Sequence, residues 1–297
     1  MNNKRLDTSF SIIILILVIL GIAISHTSQD NINLVQDDVD ESQENVGDEL
    51  QESDGDASPY EKIYFKSHPV QTQAPDFLNI ANIKARKEAF FNYLAPFAHE
   101  KNRLNLADRK RITALINTSK KMSAEDKEWV SALRKFHKLK QREEHSKTDL
   151  KDLLHRVDII PVSLVLAQAA NESAWGTSRF ATEGNNFFGQ WCFRKGCGLV
   201  PASRNDGADH EVRKFHDARE SVFAYIDNLN SNAAYKELRA ARATLRQKGK
   251  AITGLVLVHG LEHYSERGDA YVEEIEGLIS YNKLWRFNKS QPNPKAQ

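Results

Sequence analysis

The stretch Ala167-Gln168-Ala169-Ala170-Asn171-Glu172-Ser173-Ala174-Trp175-Gly176 decides how the chain is read, with Asp158-Ile159-Ile160-Pro161 before it and Gly184-Asn185-Asn186-Phe187-Phe188-Gly189 after it. Pro161 suits the first turn of a helix, where its missing N–H is not needed, and Val162 to Ser173 continues that helix with small apolar residues. Glu172 then falls late on the helix, on the face it shares with Gln168, Ala169 and Val165 one and two turns back. A carboxylate walled by apolar groups is disfavoured in its charged form, so it can hold a proton near neutral pH and act as a general acid. Trp175-Gly176 reads as the floor of a cleft, a flat ring for the face of a sugar and a glycine that lets a ligand approach the backbone. Helix geometry alone leaves the ordinary alternative open, a glutamate merely solvated near a helix end.

Working outward, Gly184 to Gly189 reads as loop. Leu199-Val200 and Glu211 to Phe215 flank Arg204-Asn205-Asp206-Gly207, and Asp-Gly between extended segments signals a hairpin, the only β-structure expected. Apolar spacing predicts helices over Asp217 to Asn230, Ala233 to Gln247, Thr253 to His263 and Tyr271 to Leu284. Upstream, the same spacing predicts a helix over Ile83 to Ala98, a second around Ile112 to Ile116 and a third around Trp129 to Phe136. The charge-rich Lys135 to Lys151 reads as an exposed helix or connection. The organisation is thus a helical lead-in over 75–150, a main domain over 151–288 and a disordered tail over 289–297.

The 297 residues carry 41 Lys and Arg against 40 Asp and Glu, but the charge is unevenly placed. Residues 1–74 hold 13 acidic against 4 basic groups, a net of −9, which leaves +10 for the body. Asp37 to Asp56 has ten acidic residues and no aromatics, so it cannot bury enough apolar surface to offset its ordering entropy. Residues 25–74 therefore read as an acidic disordered tether, with order beginning near Pro75. Before it, Lys4 and Arg5 precede the apolar run Phe10 to Ile24, a secretory signal core or a tilted membrane anchor. The positive-inside rule keeps residues 1–9 cytoplasmic and exports the chain beyond Ile24, making the inner membrane a partner through residues 10–24 if they are not removed. The composition excludes a fibre, a wholly disordered chain and a disulfide-stapled mini-protein.

The two central segments closely resemble the glucosaminidase family of peptidoglycan hydrolases, glycoside hydrolase family 73. Its hallmark is Glu-Ser-x-Trp-Gly, here Glu172 to Gly176, followed by Asn-Asn-x-Phe-Gly, here Asn185 to Gly189. The run Asn186-Phe187-Phe188-Gly189-Gln190-Trp191-Cys192-Phe193 is similar to the Bax-type subgroup. So are Gly196-Cys197-Gly198-Leu199-Val200-Pro201, His210-Glu211-Val212, Tyr264-Ser265-Glu266-Arg267-Gly268 and Tyr271-Val272. The resemblance covers roughly residues 75 to 287 and implies a predominantly helical, lysozyme-like α+β fold with a small hairpin lobe. It implies an endo-β-N-acetylglucosaminidase that hydrolyses the β-1,4 bond after N-acetylglucosamine in peptidoglycan glycan strands, with no metal or organic cofactor.

Glu172 would protonate the leaving oxygen. Tyr271 matches the family's cleft tyrosine, holding the 2-acetamido group or steadying developing charge, unless it only packs its helix. Trp175, Asn186, Phe188 and Tyr264 would line the sugar cleft. Members with a second carboxylate place it on the first strand of the hairpin, where this chain has Ser203 and Arg204, so Glu211 on the return strand is the substitute, with Asp206 and Asp209 nearer the turn. Failing these, the substrate's own acetamide oxygen could attack the anomeric carbon.

Cys192 and Cys197, the only cysteines, bracket Phe193-Arg194-Lys195-Gly196 and read as a disulfide at the start of the hairpin lobe. Two readings compete with the glycosidase. His259-Gly260-Leu261-Glu262-His263 fits the inverted zinc-peptidase pattern, two histidines for zinc and a glutamate for water. The basic body would also suit a wall-binding module without catalysis, drawn to peptide carboxylates in a salt-dependent way. Nucleic acid is a poor partner for an exported chain.

Overall fold

The computed structural model describes residues 57, 59–70, 73–201, 210–262 and 264–289, all within one compact unit. The expected signal or anchor, most of the acidic tether, the hairpin turn Arg204 to Gly207 and residues 290–297 lie outside these. Among the described residues no helix is long and apolar enough to cross a membrane.

The fold is predominantly helical with one small antiparallel sheet, as expected. Among the described residues ten helices run in order: α1 Pro59–Ser67, α2 Ile83–Asn117, α3 Ala124–Phe136, α4 Lys147–Arg156, α5 Val162–Glu172, α6 Arg179–Gly184, α7 Ala218–Ser231, α8 Lys236–Gln247, α9 Gly254–Leu257 and α10 Asp269–Tyr281. The central one is α5. Every residue from Val162 to Ala170 is buried, as a helix with small and apolar groups on all sides must be. It packs against α2, α9, α10 and the 3-10 turn Leu284–Asn288. Pro161 caps it, and Asn288 accepts from the Ser163 N–H at 2.9 Å, an orphan donor of the first turn.

Helix α2 is one element of 35 residues where apolar spacing predicts two. At 1.5 Å per residue it is about 52 Å long. The spacing lapses near Lys101 to Asn105 because the buried face there is polar. Asn102 pairs with both main-chain groups of Ile160, at 2.7 and 3.0 Å, and Asn105 donates to the Asp158 carbonyl at 3.1 Å. These bonds hold the segment that feeds α5. The first half of α2, with Phe90, Phe91 and Leu94, belongs to the same apolar cluster as α5, α7 and α10. Residues 75–98 are therefore a wall of the main core rather than a separate lead-in. A smaller cluster joins Ile112 to Trp129, Val130, Leu133, Leu150 and Leu153; residues 138–146 form the largely exposed connection expected there, and α4 after it packs through Leu150 and Leu153.

Helix α1 lies inside the stretch expected to be tether, which corrects the onset of order from Pro75 to Pro59. Phe65 packs on Phe223 with ring centroids 5.2 Å apart, and Tyr64 donates to Glu100 at 2.8 Å. The sheet also exceeds the expectation. Strand β2, Gly198–Leu199, and strand β3, Glu211–Arg213, form the expected hairpin pair. A further strand, β1, Trp191–Cys192, pairs with the other edge of β3, giving the order β1-β3-β2. The Cys192–Cys197 disulfide closes the link between β1 and β2, as expected of the only cysteine pair.

Candidate active site

Helix α5 ends in a turn with three consecutive residues in the left-handed region: Ala174 at φ 49°, Trp175 at 62° and Gly176 at 79°. Such a run is strained for residues with a Cβ and needs surrounding structure to hold it. Ser173, fully buried, supplies that hold. Its hydroxyl donates to the Ala169 carbonyl at 2.6 Å and accepts from the Gly176 N–H at 2.8 Å, while the Ser178 N–H reaches the Ser173 carbonyl at 3.0 Å. Gly176 faces the core instead of a ligand: a Cβ there would stand 2.5 Å from the Phe77 ring. Glu-Ser-x-Trp-Gly is thus a device that stops α5 sharply and leaves Glu172 as its final residue.

Glu172 is half-buried, and its Oε1 accepts from the Tyr271 hydroxyl at 2.8 Å and the Asn171 amide at 3.4 Å. The Tyr271 proton is directed there by a chain of donors. Tyr225 donates to Gln168 Oε1, and Gln168 Nε2 donates to the Tyr271 oxygen at 2.8 Å, so the tyrosine's own proton is left for Glu172. Among the described residues no donor meets Oε2, which remains the oxygen able to present a proton to a ligand. Burial pushes the Glu172 carboxyl above its usual range, with the Glu274 charge adding to this; the Tyr271 and Asn171 hydrogen bonds and Arg267 act the other way. Burial and the neighbouring Glu172 charge push the Tyr271 phenol up, so it stays protonated and remains a donor.

The structure brings Glu172, Tyr271 and Tyr264 together. Tyr264 stacks on Tyr271 at 5.5 Å and donates to the Phe188 carbonyl at 3.1 Å. Tyr271, expected to hold a sugar's acetamido group or steady developing charge, is 2% exposed and has its hydroxyl proton committed to Glu172. Asn186 and Phe188 do not line a surface. Asn186 is a buried bracket, donating to the Gln190 and Arg213 carbonyls at 2.9 Å each and accepting from the Phe188 and Gln190 N–H groups. Phe188 is buried and stacks on Tyr225 at 4.0 Å. Trp175 is half-buried, edge-on to Phe90 and Phe91, with the Lys87 ammonium 4.3 Å from its ring centre.

Glu211 is corrected from second carboxylate to brace. It is buried, and its two oxygens accept from the Gly196 N–H at 2.9 Å and the Gly198 N–H at 2.7 Å, across the disulfide loop. Asp206 and Asp209 lie outside the described residues. Gln168 and Tyr225 belong to the hydrogen-bond chain that reaches Glu172 through Tyr271, and the sequence pattern does not assign them. The signal for them is a lone amide in an otherwise apolar buried helix, since such a group must find partners.

The zinc pattern does not assemble among the described residues. His259 sits on the 3-10 turn Val258–Leu261 with its Nε2 3.1 Å from Glu276, and His263 lies outside the described residues. Gly260 has a packing reason: a Cβ there would meet the Leu238 backbone at 2.4 Å. Among the described residues, the one trio with metal-ligating atom types close together is Cys192, Cys197 and Glu211, whose sulfurs are joined as a disulfide.

Residues 147–284 match the Glucosaminidase family, described as mannosyl-glycoprotein endo-beta-N-acetylglucosaminidase. The chain is also similar to the protein named Protein bax of Escherichia coli strain K12, 32% identical over 220 residues that span 74% of this chain and 78% of that one. No solved structure gives a significant match. The matched segment contains both the half-buried glutamate that closes the central helix and the strained turn behind it, and by these matches the chain belongs to the glucosaminidase family, a family of peptidoglycan-related glycosidases.

Proposed function

We propose that the protein is an exported endo-β-N-acetylglucosaminidase that cleaves the β-1,4 bond after N-acetylglucosamine in peptidoglycan, with Glu172 as general acid. The observation that carries this reading is the one-sided hydrogen bonding of Glu172: both donors meet Oε1, leaving Oε2 for a ligand, and burial shifts the carboxyl toward its protonated form. That proton passes from Oε2 to the glycosidic oxygen as the bond to the anomeric carbon breaks. With Glu211 engaged by main-chain donors, the nucleophile in this proposal is the substrate's own acetamide oxygen, which bonds to the anomeric carbon. Water then opens that ring and gives its proton to the Glu172 carboxylate, restoring the acid. The basic pair Lys4 and Arg5 and the apolar run after it support an enzyme outside the inner membrane, released or anchored through residues 10–24.

The test is digestion of purified peptidoglycan by the wild-type chain and by Glu172→Gln, with mass spectrometry of borohydride-reduced fragments. Reduced N-acetylglucosamine ends are expected with the wild type, and a rate about 10²- to 10⁴-fold lower with the variant. Stem-peptide cleavage that a chelator abolishes would overturn the reading in favour of a metallopeptidase. Tight sedimentation onto the wall with no cleavage by either protein would leave a binding module.

A further inference from the structure

With Glu211 serving as a brace, the glycan reading lacks the second carboxylate that the hairpin was expected to supply. Helix α10 carries another one beside the acid. Glu274 follows Tyr271 by three positions, so it stands on the same face, one turn along from the residue that donates to Glu172. It lines a groove of about 400 Å³ between the end of α5 and α10, together with Asn171, whose amide donates to Glu172, and with the small residues Ala170, Ala174 and Gly277. The Glu274 charge reaches Glu172 and adds to the rise of that carboxyl. Only one of its own oxygens is taken: Oε2 accepts from Arg267 Nη1 at 2.7 Å, and among the described residues no donor meets Oε1. The side chains of this pair are 49% and 39% exposed, and such a pair contributes about 0–1 kcal/mol to folding, so stability gives little reason for a carboxylate at the groove.

We propose that Glu274 is a second catalytic carboxylate, whose open oxygen accepts the N–H of the substrate's 2-acetamido group. The proposal rests on the glycan reading of Glu172 and deepens it. As the acetamide oxygen bonds to the anomeric carbon, the glycosidic oxygen leaves with the electron pair of the broken bond and takes the Glu172 proton, and positive charge develops on the acetamide nitrogen and carbon. The nitrogen keeps its proton throughout. A carboxylate that accepts this N–H aims the acetamide oxygen at the anomeric carbon and stabilises the developing charge until water opens the ring and returns a proton to Glu172. Arg267 is a positioning residue, because holding Oε2 fixes where Oε1 points. Two glutamates then divide the work by their neighbours: burial makes Glu172 a proton donor, while the guanidinium beside Glu274 suits it to accept a hydrogen bond.

The experiment measures kcat and KM on purified glycan strands across pH for the wild-type chain, Glu274→Gln and Glu273→Gln. Calorimetry follows in parallel the binding of a thiazoline analogue of N-acetylglucosamine, a stable mimic of the cyclised acetamide. Glu274→Gln is expected to lower kcat on the order of 10²-fold with KM within a few-fold, and to weaken thiazoline binding about 10-fold. Glu273, exposed on the same helix, is the control, and its variant is expected to match the wild type. Removing the Glu274 charge also lets the Glu172 carboxyl fall, since Tyr271, Asn171 and Arg267 still lower it, so the high-pH limb of kcat is expected to move downward. A Glu274→Gln chain with kcat within about 3-fold of wild type and unchanged thiazoline binding would reduce Glu274 to a surface ion pair and overturn the proposal. A wild type that inverts the anomeric configuration and does not bind the thiazoline would overturn it as well, removing the acetamide route while leaving the glycosidase. No cleavage of glycan by the wild type would instead remove the reading on which the proposal rests.

Discussion

Glu172 and Tyr271 act as a unit because the tyrosine cannot turn its proton elsewhere while Gln168 donates to its oxygen. Tyr271→Phe removes the donor that holds the Glu172 carboxyl down, so the carboxyl rises further. A general acid works only while protonated, and its rate falls as pH rises through its pKa. The high-pH limb of kcat is therefore expected to move upward in Tyr271→Phe, with turnover at the optimum falling about 10-fold through lost positioning. A pH–rate profile of both proteins checks the direction; a downward shift would refute the donor role. Glu211→Gln exchanges one accepting oxygen for an amide that cannot accept from Gly196 or Gly198. It is expected to cost about 1–3 kcal/mol of stability and to leave turnover within a few-fold of wild type. Denaturant unfolding and a glycan assay on one preparation separate the two, and a collapse in turnover without a loss of stability would return Glu211 to the chemistry.

At the scale of an element, the turn from Ser173 to Gly176 converts a buried helix into a site. Gly176→Ala places a Cβ at positive φ and 2.5 Å from the Phe77 ring. A loss of about 1–3 kcal/mol is expected from chemical unfolding, together with weaker glycan cleavage, because the turn and Glu172 share the same helix end. An alanine variant as stable as wild type would mean the turn relaxes freely. The loop Asn185 to Gly189 does comparable work on the other side of the site. Asn185 is left-handed at φ 51° and donates to the Phe215 and His216 carbonyls, Asn186 ties the loop to β3, and Phe188 fills the space over Tyr225. Both hallmark motifs thus consist mainly of residues that shape the backbone, with one acid among them.

The whole molecule is bound together by buried charge as well as by its apolar core. Lys101 of α2 meets Asp227 of α7 at 2.7 Å and also pairs with Glu61 of α1, all three being buried. Burial pulls the Lys101 ammonium down, but the two carboxylates outweigh it and hold it above its usual value. Lys101→Met would leave two carboxylates in a dry site. It is expected to cost about 3–5 kcal/mol in global unfolding and to release α1 to proteolysis near Tyr64. An unchanged unfolding midpoint would show that α1 is not held this way. A similar group surrounds Asp158, which Arg246 and Arg109 pair with, while Arg242 is buried at 3.9 Å. Arg134, Arg219, Arg239 and Arg242 are all buried, so part of the basic surplus read as wall attraction is internal framework.

By itself the sequence determined the helical character, the place of Glu172 late on α5, the cysteine pair and the hairpin pairing, because each rests on local spacing or on a motif that needs few partners. Tertiary structure decided what Glu172, Glu211, Asn186 and Tyr271 do. A carboxylate acts as an acid or as a brace according to which donors reach its oxygens, and those of Glu211 come from glycines 13 and 15 positions earlier in the chain. Tyr271 meets Glu172 across 99 positions, and Gln168 finds Tyr225 across 57. Lys101 and Asn102 likewise read as solvated residues until α1, α7 and the Ile160 backbone close over them. Such partners are brought together only when the chain packs, and a linear pattern of hydrophobicity and charge carries no record of the distance between them.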